Sequence, residues 1–189
     1  MIDNRPDREV TMGLDWSIIT DAVTYPVTLV EAKNFIRVDY ALDDDLITDI
    51  IKAATEQAEK YLNRSITTKT VKFSYTSFSN RVMLPYPPYQ SITAVTVKYR
   101  GESTVLVADS DYYLSGVKDL SIEFERYYRE YELIIDATVG YLSVPLTIKQ
   151  GVLKLIARMY EYRNDFMEVS GPDVRESFRV LEGYKIITI

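Results

Sequence analysis

A chain of 189 residues is long enough for one compact domain, or for two small lobes sharing a core. It has no histidine and no cysteine, which removes the commonest general base and zinc ligand and all disulfide or thiolate chemistry; an enzyme built from it would run on carboxylates, Lys, Tyr or Ser. A formal charge of −6 disfavours a sequestering grip on phosphate backbones, while 16 tyrosines supply the amphipathic surface found where protein meets protein.

Nothing in the sequence approaches the roughly 18 consecutive apolar residues of a membrane span. The opening MIDNRPDREVTMGLDW is polar and acidic, without an apolar secretion core. The expectation is a protein made and used in the cytoplasm, or in a particle assembled there. Residues 1–27 read as an extended arm, with a short strand over Leu14 to Ile19 and a stop at Tyr25-Pro26. Thr28-Leu29-Val30-Glu31 has the pattern of a capping box, and Leu29, Ala32, Phe35 and Ile36 follow at helical spacing, predicting a helix over 28–37. Asp43, Asp44 and Asp45 open a second helix, as a cap and two acids at the positive end of the dipole. Its apolar face is Leu46, Ile47, Ile50, Ile51, Ala54, Ala58, Tyr61 and Leu62, and Asn63 is its left-handed terminator. Residues 28–64 are therefore helical.

From 65 to 145 the period changes to two. Val71, Phe73 and Tyr75 alternate with Lys72 and Ser74, and Val82-Met83-Leu84 runs into the extended Pro85-Tyr86-Pro87-Pro88. Ile92, Val95, Val97 and Tyr99 lead to a hairpin turn at Arg100-Gly101-Glu102, with Thr104 to Val107 returning. Ser121 to Glu125 and Glu132 to Val139 form another pair. Five to seven strands with short connections favour antiparallel pairing. Pro145 then starts a last long helix over roughly 146–164, within a segment 146–170. Its apolar positions (Leu146, Ile148, Val152, Leu153, Leu155, Ile156, Met159, Tyr160) exceed one narrow stripe, so it is buried by its own domain, by neighbouring subunits, or by both. Residues 171–189 hold a short helix around Asp173–Leu181 and the apolar tail Tyr184-Lys185-Ile186-Ile187-Thr188-Ile189. The fold class is α+β, with helices at both ends and a mostly antiparallel β-rich middle.

Motifs that carry chemistry are thin. With 7 glycines there is no phosphate-binding loop. Asp109-Ser110-Asp111 begins like a calcium loop but has Leu114 where Gly is needed and Leu120 where Glu is needed, so it reads as a polar turn. Asp43-Asp44-Asp45 reads as a solvated helix start in preference to a magnesium site. Glu123 and Glu125 stand about 7 Å apart on one strand face; two glutamates blunting an edge strand explain them better than a glycosidase pair. Tyr127-Tyr128-Arg129-Glu130-Tyr131 reads as a protein-contacting loop ahead of a base-stacking one. Met159-Tyr160-Glu161-Tyr162-Arg163 reads as core and subunit interface, with Tyr160, Tyr162 and Arg163 as the interface candidates. No catalytic residue, metal ligand or cofactor site is assigned.

The order of pieces resembles a known family. Pro26-Val27-Thr28-Leu29-Val30-Glu31-Ala32-Lys33 and Phe35-Ile36-Arg37-Val38-Asp39 look like the opening of the head–tail connector (adaptor, or head-completion) proteins of tailed bacteriophages. The acidic run, the long helix ending Glu59-Lys60-Tyr61-Leu62-Asn63-Arg64, and Leu84-Pro85-Tyr86-Pro87-Pro88-Tyr89-Gln90-Ser91-Ile92 continue the match, the last being similar to the family's LPxPPxQSV strand entry. Asp111-Tyr112-Tyr113, Gly140-Tyr141, Val144-Pro145, Lys149-Gln150 and Tyr160-Glu161-Tyr162-Arg163 complete it over residues 15–185. The segment 115–131 is shorter than in the family and lacks its Trp-Pro, and the N-terminal arm has no counterpart.

The resemblance implies a virion protein of the phage neck, assembled in the host cytoplasm. About a dozen copies would form a homo-oligomeric ring, a dodecamer, beneath the portal protein. The ring would extend the channel through which DNA passes without specific binding, and would offer a platform to a stopper or tail-completion protein. Helices would form the ring body and the β-rich section an embellishment. The C-terminal tail would dock on the portal through Tyr184, Ile186, Ile187 and Ile189, with Lys185 near an acidic partner, and acidic side chains would line the channel. Two other readings stay open: another neck or tail component such as a stopper, and a carboxylate-based hydrolase of cell-wall sugars.

Overall fold

The computed structural model describes residues 13–116, 120–128, 130–162 and 178–186. Along them the chain runs β1 (Leu14–Thr20), α1 (Leu29–Ile36), α2 (Asp44–Leu62), β2 (Lys69–Tyr75), β3 (Arg81–Met83), β4 (Tyr89–Tyr99), β5 (Glu102–Val105), β6 (Tyr112–Ser115), β7 (Ser121–Phe124), β8 (Glu132–Val139) and α3 (Leu146–Glu161), with a 3-10 turn at Glu182–Tyr184. This is the expected α+β class. The chain divides into two compact units: a β unit of residues 1–20, 70–84 and 91–138, and a helical unit of residues 21–69, 85–90 and 139–189.

In the helical unit the sequence periodicity becomes packing. Thr28 caps α1 as a complete box: its hydroxyl accepts from the Glu31 amide at 3.3 Å, and the Glu31 carboxylate accepts from the Thr28 amide at 3.0 Å. On α2, Ile47, Ile50, Ile51, Ala54, Ala58 and Leu62 are buried, while Leu46 is exposed and Tyr61 half-buried. Asn63 ends α2 in the left-handed conformation at φ 51°. The breadth of the apolar surface on α3 is explained largely within the chain: Ile148, Val152, Leu153, Leu155 and Ile156 all join the one core formed with α1 and α2. Each such side chain is worth about 1.5–3 kcal/mol of burial.

Asp43 is the N-cap of α2 but its side chain makes no capping bond. The carboxylate is taken instead by two phenols, Tyr40 at 3.1 Å and Tyr160 at 2.6 Å. Asp44 likewise accepts from Lys33 at 2.5 Å. Of the three acids read as a solvated helix start, two are thus committed to neighbouring side chains.

The β unit holds a five-stranded sheet, β1-β2-β8-β4-β5, and a three-stranded sheet, β3-β7-β6, so β7 and β8, expected to pair with each other, lie in different sheets. Val71, Phe73 and Tyr75 point inward, as the alternation predicts, and Leu133, Ile135 and Ala137 do the same on β8. The β4–β5 hairpin closes on Arg100 and Gly101 with φ of 49° and 94°, the double positive that a tight two-residue turn requires. An aromatic chain ties β7 to β4: Phe78 to Phe124 (5.1 Å), Phe124 to Tyr128 (5.7 Å), Tyr128 to Tyr131 (5.5 Å) and Tyr131 to Tyr99 (4.8 Å). The loop read as protein-contacting therefore turns Tyr128 and Tyr131 into its own unit, where Arg126 donates to the Tyr128 hydroxyl at 2.9 Å. Tyr127, 76% exposed, faces solvent, as does Glu130; Arg129 lies outside the described residues.

A correction concerns Glu123 and Glu125. β7 is the middle strand of its sheet, not an edge, and Glu125 falls beyond its end. Glu123 pairs with Arg81 at 3.4 Å and accepts from Ser115 at 2.8 Å, so its role is cross-strand pairing. Asp109-Ser110-Asp111 is the turn expected, with the Val107 amide donating to the Asp111 carboxylate at 2.9 Å.

Candidate docking surfaces

The C-terminal segment returns to the helical unit, and its seat is built from several kinds of contact. Leu181 is completely buried against Gly151 in the middle of α3. A Cβ at that glycine would stand 2.4 Å from Leu181 Cδ2, so the missing side chain is what admits the leucine. Phe178 stacks on Tyr61 with centroids 4.4 Å apart, and the Lys185 ammonium lies 4.5 Å over the same ring. The main chain is held as well. Arg64 Nε donates to the Tyr184 carbonyl at 2.5 Å, the Ile186 amide donates to the Leu62 carbonyl at 3.0 Å, and Asn63 Nδ2 donates to the Ile186 carbonyl at 2.9 Å. The Leu62 carbonyl and the side chain of the Asn63 cap at the end of α2 thus find their partners in this segment.

Of the tail residues expected to dock, Tyr184 and Ile186 are half-buried on the helical unit and Lys185 is exposed. Ile187 and Ile189 lie outside the described residues, as does Arg163. Tyr160 is half-buried, its hydroxyl 2.6 Å from Asp43 and 3.0 Å from the Tyr40 hydroxyl. Those bonds, to Asp43 first, push its phenol well above the ordinary value. Tyr162 is exposed, with the Arg158 guanidinium 5.0 Å over its ring. The sequence reading missed the receiving residues Tyr61, Asn63, Arg64 and Gly151 as a group. Gly151 carried the available signal, since an isolated glycine inside a strongly apolar helix points to a close approach.

The start of the helical unit is held from α3. Lys149 Nζ reaches Glu31 at 2.5 Å. That hydrogen bond, with those from Thr28, holds the Glu31 carboxyl down at about 2. The family-like strand entry has a concrete job too: the Ser65 amide bonds the Pro87 carbonyl (3.2 Å), the Gly140 amide bonds the Pro88 carbonyl (2.9 Å), and Gln90 Nε2 donates to Thr68 (2.8 Å) and the Gly140 carbonyl (3.1 Å). A hollow of about 420 Å³ between Thr24–Pro26, Ile66–Thr68 and Tyr141–Val144 is bordered by Lys149, and no acid lines it. Among the described residues no three Asp or Glu side chains converge as a metal group would need, and no helix is long and apolar enough to cross a membrane.

Comparison with solved structures finds the same fold in chains from gene transfer agent (GTA) particles. A chain from the neck of an empty GTA particle computed with C6 symmetry is 18% identical, with a TM-score of 0.76 over 93% of this chain and 97% of that one. A chain of the virion of a native GTA particle gives 18% identity and a TM-score of 0.72, covering 91% and 97%. One from the neck of a native GTA particle computed with C12 symmetry gives 17% and 0.69, again over 91% and 97%. No curated protein matches. The head completion protein family matches residues 27–171, which takes in α1, α2, both sheets from β2 onward and α3. The chain belongs to the head completion protein family.

Proposed function

We propose that the chain is a non-enzymatic structural adaptor of a tailed-particle neck. About twelve copies form a ring beneath the portal, extend the channel for DNA and present a platform to a stopper or tail-completion protein. The observation that carries this reading is the coincidence of a head completion match over residues 27–171 with a fold shared along 93% of the chain with a particle-neck chain. The C6 and C12 symmetry of the neck structures supports a ring of this size. The end of the chain, from Tyr184 through Ile187 to Ile189, is the segment that meets the portal, and the net charge of −6 suits a channel that DNA traverses without sticking.

The test is assembly in vitro. Purified chain mixed with portal rings should co-sediment and image as a twelve-fold collar on one face of the portal, while linear duplex DNA should not co-sediment with it at low salt. A chain that ignores portal rings and binds a tail-completion protein alone would assign it another place in the neck. Truncation after Ile186 is the informative cut, because removal of 183–189 would also strip the Tyr184 and Ile186 bonds to α2.

A further inference from the structure

We infer that residues 178–186 are a fixed strap, and that the Leu181–Gly151 seat positions the chain end for docking on the portal. The inference rests on the adaptor reading and divides labour within the tail: the strap fixes the backbone as far as Ile186, and the residues after it are the ones that contact the portal.

Three features favour a permanent strap over one released on assembly. The seat is complementary in shape, since Gly151 is less favourable than alanine within a helix, yet only its missing Cβ leaves room for Leu181. Leu181 belongs to the same core as Ile148, Val152 and Ile156, so lifting the strap would open that core. The last described residues are held through backbone atoms, the Tyr184 carbonyl and both the amide and carbonyl of Ile186, which fixes the position and direction of the backbone at Ile186. A segment with a fixed origin and direction loses less freedom on binding than a free one.

The absence of cysteine permits a clean test on the full chain. Gly151→Cys with Leu181→Cys introduces the only two thiols. A Cβ at 151 stands 2.7 Å from Leu181 Cγ, close to the about 3 Å between a Cβ and the far sulfur of a disulfide. Oxidised, this variant should load onto portal rings with the affinity of the unmodified chain. Reduced, it should bind about tenfold more weakly, while circular dichroism still reports a folded protein; re-oxidation should restore binding. Leu181→Ala should show the same weakening, with ring formation by the chain itself unchanged. An oxidised form that fails to load overturns the inference, because it shows that the strap must let go. So does a reduced form, or Leu181→Ala, that loads as well as the unmodified chain. Failure of the unmodified chain to load overturns the adaptor reading instead, so the two failures are distinguishable.

Discussion

Glu59 and Lys69 meet at 2.6 Å with their side chains only 13% and 10% exposed, and this pair closes the turn that leads from α2 into β2. The other Glu59 oxygen accepts from the amides of Ile66 and Thr67 at 2.7 and 3.1 Å, so one carboxylate satisfies both the turn and its cation. Glu59→Ala should cost about 3 kcal/mol, since it strands a nearly buried ammonium and two amides, and lower Tm by about 6–12 °C. Lys69→Met should cost less, because the two amide bonds survive it. Thermal unfolding of the two variants reads the difference, and equal losses would contradict this account of Glu59.

Glu31 makes acid the weak side of the helical unit. Its folded-state value of about 2 lies below the ordinary 4.5, so its contribution is fully present above 4.5 and fades as pH falls toward 2. The Glu31 side chain is 41% exposed, so screening by solvent trims the effect and added salt should trim it further. Unfolding midpoints of Glu31→Gln and the unmodified chain should differ at pH 7 and converge near pH 2. A constant difference across that range would place the effect elsewhere.

Gly140 admits no side chain. At φ 102° a Cβ there would come within 2.0 Å of the Thr67 carbonyl oxygen, which is backbone and cannot rotate away. Gly140→Ala should cost about 3 kcal/mol or more. Gly101→Ala shares a positive φ of 94° but meets nothing within 4 Å, and should cost about 1 kcal/mol. Equilibrium denaturation of the pair separates collision from dihedral strain; equal losses would show that the dihedral alone matters.

Tyr160 is expected from the sequence at a subunit interface, yet its hydroxyl is occupied by Asp43 and Tyr40 of the same chain. Tyr160→Phe should lower Tm by a small amount and leave the yield of assembled rings unchanged. A loss of rings without a loss of Tm would place Tyr160 at the interface as the sequence suggests.

Local chemistry was legible where it agreed with tertiary packing. The capping box at Thr28, the left-handed end at Asn63 and the Arg100-Gly101 turn each appear at the expected residue, because each depends on neighbours within a few positions. α3 ends at Glu161, close to the expected 164. The features that escaped depend on partners distant in sequence. Nothing beside Asp43 announces that Tyr160 will take its carboxylate from the α2 cap. Glu123 looked like an edge charge because strand order is invisible to alternation. The strap was unreadable for the same reason: Leu181 finds Gly151 across thirty positions, and Ile186 finds Leu62 from much farther away.

The chain passes five times between its two units, at 20/21, 69/70, 84/85, 90/91 and 138/139. Neither unit is therefore a cassette that could be excised, expressed by itself or exchanged in one piece between relatives. Deleting the β unit would mean rejoining Asp21–Lys69, the six-residue piece Pro85–Gln90 and the chain from Val139 onward with new connections. Lengthening or shortening a loop of the β unit, by contrast, leaves all five crossings as they are.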